Sequence, residues 1–304
     1  MIDFLKEQNI DNKLIDKVLE FRKNHQLDNK YINRIPSPHY KYYGKEVWEQ
    51  SITAILQGSN ILLSGPKATG KNVLSDNLAA LFQRPTWNIS FHVNTDSTNL
   101  IGTDTFKDNE VTFRPGPVYD VALNGGFGIL DEVNMAKSDS VAVIHSLLDY
   151  RRIIDVPGYE KINLNDATRF IGTMNYGYAG TKELNEALIS RFLVIDMPKA
   201  SEETLKHILL TDFYLRENAL DLFIRLFLDL QEKSMNSEIS SKAIDIRGLI
   251  AAIGAMKIGL NIKSALQIGL VNKTFDLFER EIIQDVINSL FKNDLTREDI
   301  FKVL

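Results

Sequence analysis

Between the apolar run Ile61-Leu62-Leu63 and the helical pattern opening at Asn72-Val73-Leu74 lies Gly65-Pro66-Lys67-Ala68-Thr69-Gly70-Lys71. This glycine-bounded loop restricts the fold severely, because a buried strand must feed it and a helix must leave it. Gly65 and Gly70 let backbone N–H groups turn inward around an anion, the helix N-terminus adds partial positive charge, and Lys71 adds a full one. The pattern is that of a nucleotide phosphate loop, with the residues from Gly65 to Val73 as the cradle and ATP as the expected ligand. One position is irregular. Asn72 stands where Ser or Thr would offer a hydroxyl to Mg²⁺, and its carboxamide oxygen can ligate Mg²⁺ only from a longer, differently oriented side chain. A strand-to-helix turn without nucleotide is the plain alternative.

The surrounding sequence supplies the matching architecture. From about residue 45 to 200, strand-length apolar runs alternate with helical patterns: Asn60 to Leu63, Trp87 to Phe91, Gly128 to Leu130, Phe170 to Thr173 and Phe192 to Ile195. This predicts an α/β unit with a five-stranded, mainly parallel sheet. After Pro198 helical patterns such as Leu220-Leu222-Phe223-Leu226-Phe227-Leu230 dominate, which predicts an all-helical lid domain. Residues 1 to about 30 carry apolar residues near helical spacing, and Pro36 and Pro38 break any helix that would continue. The expected division is therefore a helical appendage and linker over 1–40, a nucleotide-binding domain over 41–199 and a lid over 200–304.

Composition removes other classes. With 44% hydrophobic and 25% charged residues over 304 positions, there is ample material for a core. The formal charge of −5 offers no basic footprint for nucleic acid. Without cysteine, thiolate metal sites and Cys nucleophiles are excluded, and a cytoplasmic setting fits. No apolar stretch reaches the length of a membrane span, the N-terminus lacks the order of a signal peptide, and the five histidines lack ligand spacing.

A second motif sharpens the chemistry. Gly126-Phe127-Gly128-Ile129-Leu130-Asp131-Glu132 is an apolar strand that ends in two adjacent carboxylates. In phosphate-loop NTPases the first holds the Mg²⁺ shell, which assigns Asp131 with Asn72 to the metal. The same pair also reads as a solvated strand end or a helix N-cap.

Further motifs carry a resemblance. Arg169-Phe170-Ile171-Gly172-Thr173-Met174-Asn175 ends in an amide, and Asn185-Glu186-Ala187-Leu188-Ile189-Ser190-Arg191-Phe192 follows it. Together with Phe113-Arg114-Pro115-Gly116-Pro117-Val118, the run Val143 to Arg152 and Met174-Asn175-Tyr176-Gly177-Tyr178, the chain from Gly58 to Pro198 resembles the MoxR family of AAA+ ATPases. It is most similar to the branch containing the CbbQ and NorQ proteins. The resemblance implies Glu132 as the activator of the attacking water, Asn175 as the γ-phosphate sensor and Arg191 as the arginine finger offered to a neighbouring subunit. Arg191 also reads as a helix C-terminal cap. In the lid, Ala243-Ile244-Asp245-Ile246-Arg247 resembles the helix bearing a second sensor, with Arg247 as that residue, or as a surface partner of Asp245. Tyr43 and Gly44 match the place where family members cover adenine, although an aromatic there could equally pack on the lid. Two hairpins are implied, near 102–117 and near 152–164, the second turning at Pro157-Gly158.

The implied protein is a homo-oligomeric ring, a hexamer, that hydrolyses ATP at subunit interfaces. It would remodel or activate a client protein or metalloenzyme beside a von Willebrand A domain partner. Asn72 keeps a nucleotide-gated scaffold with little turnover in play, and the motor subunit of a metal chelatase shares the first hairpin. A DNA-dependent motor ranks last, given the acidic balance.

Overall fold

A computed structural model describes residues 1–107, 109–135, 144–155, 161–176, 184–292 and 295–302. The chain forms two compact units, one of Met1–Pro66 and Gly70–Pro198, the other of Lys67–Thr69 and Lys199–Leu304.

The first unit is built on β1 (Ile61–Gly65), β2 (Thr86–Ser90), β5 (Phe127–Asp131), β8 (Arg169–Asn175) and β9 (Leu193–Asp196), in the order β2-β5-β8-β1-β9. Every neighbouring pair is parallel. Such a sheet needs cover on both faces, and alternation along the strands provides it. Ile61 and Leu63 of β1 face one apolar cluster, and Leu62 between them faces another.

The first cluster also takes in the N-terminal segment. Helix α1 (Ile2–Glu7) and helix α2 (Asn12–Asn24) bury Leu5, Ile15, Val18 and Phe21 in the same cluster as Trp48 of α3 (Lys45–Leu56) and Leu78 and Phe82 of α4 (Lys71–Phe82). Phe21 meets Phe82 edge-on at 5.2 Å and 89°, a geometry that adds about 0.5–1.5 kcal/mol beyond area burial. The first twenty-odd residues are thus part of this unit's core.

Both expected hairpins are present. Between α5 (Ser97–Leu100) and α6 (Pro117–Asn124), β3 (Gly102–Lys107) pairs antiparallel with β4 (Glu110–Pro115). Their register, Lys107 opposite Glu110, closes through Asn109 in the left-handed region at φ +66°. After α7 (His145–Leu148), β6 (Ile153–Ile154) pairs with β7 (Ile162–Asn163). The predicted turn at Pro157-Gly158 lies outside the described residues, as do Val143, Gly177 and Tyr178. A short α8 (Glu186–Ile189) leads into β9.

The second unit is helical: α9 (Glu202–Asp212), α10 (Glu217–Met235), α11 (Ile246–Ile258), α12 (Ile262–Gly269), α13 (Leu277–Leu290) and α14 (Arg297–Ile300). Helices α11 and α12 cross at two glycines. A Cβ on Gly248 would stand 2.2 Å from the Gly269 carbonyl oxygen, so only glycine permits this approach. Among the described residues no helix is long and apolar enough to cross a membrane.

Candidate functional site

Strand order determines what meets the loop. β8 lies between β5 and β1, and its register sets Asn175 beside Gly65 of β1 and Gly172 beside Leu130 of β5. The C-terminal ends of three strands therefore bring the loop, the acidic pair and the β8 amide together. Right-handed crossovers place helix N-termini at the same edge, and α4 begins there.

The loop leaves β1 and turns through Ala68 (φ +62°) and Gly70 (φ +84°) before α4 starts at Lys71. Gly70 has a second constraint, since a Cβ there would come within 3.2 Å of the Tyr42 ring. Lys71 is buried, and its Nζ donates to the carbonyl oxygens of Gly65 at 2.9 Å and Pro66 at 2.7 Å. Burial lowers its pKa to about 8, while Asp131 and Glu132 act in the opposite sense. The ammonium is thus held inside the loop at a place where phosphate charge would stabilise it.

The acidic pair is oriented by β8. Buried Thr173 donates its hydroxyl to Asp131 Oδ1 at 2.6 Å and accepts from the Glu132 backbone N–H at 3.2 Å. Asp131 Oδ2 faces Asn72, whose Nδ2 stands 3.4 Å away. Glu132 sits in the left-handed region at φ +53°, an uncommon position for a residue with a side chain and a frequent one at functional sites. Its Oε1 is 3.4 Å from Asn175 Nδ2, and Asn134 Nδ2 reaches the Asn175 carbonyl oxygen at 3.3 Å. Lys71, Asn72, Asp131, Glu132 and Asn175 are therefore neighbours, as expected from sequence.

Arg191 follows α8 and lies elsewhere in its contacts. Its Nε donates to the His145 carbonyl oxygen at 3.2 Å, Nη1 donates to the Ala187 carbonyl oxygen, and Nη2 stands 3.8 Å from Asp149 Oδ2. Asp149 also takes the fork of Arg151, with Nη2 at 2.7 Å, and that hydrogen bond is the first cause of its lowered pKa. Arg247 is exposed in the first turn of α11, where Asp245 caps the helix by accepting its backbone N–H at 3.1 Å. The Asp245 carboxylate is ion-paired with Lys273 at 3.2 Å.

Near Gly44, the aromatic against the loop is Tyr42. It is buried, its hydroxyl pKa is raised to about 12 by burial, and its carbonyl accepts from Trp48 Nε1 at 2.9 Å. Tyr43 packs edge-on against Phe4 at 5.3 Å. Thr173 and Tyr42 carry no motif of their own. The signal for Thr173 was positional, two residues before the amide on the central strand.

The oxygen donors suit Mg²⁺, a hard cation that takes one or two side-chain oxygens, with water and phosphate filling its octahedron. Asp131 Oδ2 and the Asn72 carboxamide converge at the loop's helix end, and rotating that amide would present Oδ1 in place of Nδ2.

Residues 60–192 match the AAA domain of the dynein-related subfamily. The uncharacterised protein YojN of Bacillus subtilis is 32% identical over 259 residues, covering 83% of this chain and 85% of that protein. An uncharacterised protein of Staphylococcus aureus strain bovine RF122 is 30% identical over 260 residues, covering 83% and 98%. One of Staphylococcus haemolyticus is 32% identical over 239 residues, covering 76% and 90%. A solved structure of an ATPase candidate from Cytophaga hutchinsonii overlies 94% of this chain and 98% of its own at 17% identity and a TM-score of 0.43. With the domain match and relatives that share most of its length, the chain belongs to the AAA+ ATPases, in the dynein-related subfamily of AAA domains.

Proposed function

We propose that this chain is a MoxR-like ATP hydrolase of the CbbQ and NorQ type, working in the cytoplasm as a hexameric ring that remodels or activates a client protein or metalloenzyme. A von Willebrand A domain protein would be its partner. The observation that carries the hydrolytic reading is the convergence of a buried lysine, a phosphate-sized loop and two carboxylates fixed by Thr173 and Asn175 at one sheet edge. Loop residues 65–73 would bind the triphosphate through backbone N–H groups and Lys71. Glu132 would take the proton from the attacking water, and Asn175 would hold that water and the γ-phosphate in line. Asn72 and Asp131 would hold Mg²⁺, which neutralises charge on the phosphate oxygens. Arg191 would reach the ATP of a neighbouring copy, Arg247 would sense nucleotide from the lid, and Tyr43 and Gly44 would border adenine.

Changing Glu132 to Gln keeps shape and hydrogen bonding but removes the base. Turnover should fall by about 10²–10⁴-fold while nucleotide binding persists. Undiminished turnover would sink the assignment. Asn72 favours a second reading, the nucleotide-gated scaffold, because an amide replaces the hydroxyl expected at the metal. The hydrolase reading expects Mg²⁺-dependent turnover in the natural chain and equal or higher turnover in Asn72→Thr; ATP binding without turnover across a Mg²⁺ titration would favour the scaffold.

A further inference from the structure

The edge of the sheet opposite the phosphate loop holds a cavity of about 410 Å³, lined by Asn24, His25, Arg84, Asn124, Asn165 and Asp166 among others. Arg84 precedes β2 and is only 2% exposed. Its Nε donates to the Gly125 carbonyl oxygen at 2.7 Å and its Nη1 to that of His25 at 2.6 Å. Both acceptors are neutral, and they cap the C-termini of α6 and α2. Among the described residues no hydrogen bond engages Nη2, and no carboxylate lies within ion-pair distance of this guanidinium. Burial lowers its pKa to about 10, which leaves it charged at neutral pH.

The cavity's geometry keeps that charge accessible. Gly125 is in the left-handed region at φ +61°, and a Cβ there would meet Asn165 Oδ1 at 2.6 Å and Arg84 Nη2 at 2.9 Å. The glycine thus leaves room for a carboxamide and a guanidinium side by side. The lining also holds two carboxylates, Asp28, which pairs with Lys30 at 3.7 Å, and Asp166, whose charge acts on Arg152 and Arg169. A buried cation without a counter-ion is costly, and an anion beside it is the direct remedy.

We propose that this cavity binds a small hydrophilic oxyanion, a carboxylate or a phosphate, with Arg84 Nη2 as the charged donor and the carboxamides of Asn24, Asn124 and Asn165 as neutral partners. Its volume lies at the small end of ligand sites, about 300–1,000 Å³. The ligand is therefore a compact metabolite rather than a chain, and the site is separate from the nucleotide loop.

Calorimetric titration of the full chain with inorganic phosphate and, separately, with citrate tests this. Saturable one-to-one binding of either probe is expected, and the probe that binds identifies the source of the oxyanion. Binding should be unchanged in Lys71→Ala, which disables the nucleotide loop. It should weaken about tenfold in Gln26→Glu, which adds a repelling charge at the exposed rim without removing a hydrogen bond, and tighten in Asp28→Asn. Arg84 itself holds two carbonyls, so its replacement could unfold the chain; the rim variants avoid that. No heat with either probe would overturn the proposal. So would binding that disappears in Lys71→Ala and is indifferent to Gln26→Glu, since the anion would then sit on the phosphate loop.

Discussion

Lys71 links pH to ligand binding with a defined sign. Its pKa is about 8 in the free chain, below the ordinary 10.5, and a polyphosphate beside it would raise it again. Above about pH 8 the ammonium must regain a proton to bind phosphate, so nucleotide affinity should fall as pH rises toward the ordinary lysine value, with up to one proton taken up per site. Folding stability moves the other way over that window, because the unfolded chain binds the proton more tightly. Calorimetry in two buffers of different ionisation heat counts the proton, and an affinity that stays flat between about pH 7.5 and 9.5 would refute the linkage. Thr173 offers a second test. Thr173→Val keeps the shape but removes the donor to Asp131 Oδ1 and the acceptor for the Glu132 N–H. If Asp131 holds the metal, turnover should drop about 10–100-fold with nucleotide affinity nearly unchanged, the range for groups that orient metal-binding side chains; equal loss of affinity would mean that Thr173 acts on binding. Lys71 was legible in sequence from the glycine-bounded loop it closes and Asp131 from the apolar strand it ends, while Glu132 and Asn175 were singled out by the resemblance. Thr173 and Asp149 were not, since their roles depend on which strand or loop lies alongside.

At the scale of elements, helix direction explains both edges of the sheet. Parallel strands with right-handed crossovers point helix N-termini toward the phosphate loop and helix C-termini toward the other edge. Arginines collect at the second edge. Arg22 donates through Nε to the Leu81 carbonyl oxygen in the last turn of α4 at 2.6 Å, Arg84 holds the caps of α2 and α6, and Arg169 reaches Ile55 in the last turn of α3 at 2.9 Å. These guanidinium groups satisfy carbonyls that helix ends leave open and meet their partial negative charge. Arg169 also holds the Asp166 and Thr168 carbonyl oxygens, at 2.6 and 2.7 Å. Replacing it with Met should therefore cost about 3 kcal/mol in urea unfolding, roughly one for each carbonyl left without its donor. A loss below about 1 kcal/mol would mean that water takes over these acceptors. Sequence periodicity located the five strands of the sheet, where apolar runs are local signals, whereas the two hairpins followed from the resemblance. The embedding of α1 and α2 was not legible, because an amphipathic helix reads alike whether it covers its own domain or another chain.

For the whole molecule, the contacts of Arg191 matter most. Its described partners are His145, Ala187 and Asp149, while the acid pair is held by Thr173 and Asn175. If ATP is hydrolysed between copies, a working site draws Glu132 from one chain and Arg191 from the next. Each variant alone, Glu132→Gln or Arg191→Ala, then spoils every interface of a ring. A mixture does not. Where an Arg191→Ala copy supplies the intact base and a Glu132→Gln copy supplies the intact arginine, one natural site is restored, while the reverse pairing carries both defects. Random assembly of equal amounts gives such interfaces about a quarter of the time, so turnover should recover toward that fraction of the natural rate. Recovery should require subunits to exchange and should vanish on dilution below the assembly threshold. A mixture that stays at the level of the two single variants, in chains shown to co-assemble, would mean that Arg191 serves its own subunit as a tie between His145, Ala187 and Asp149.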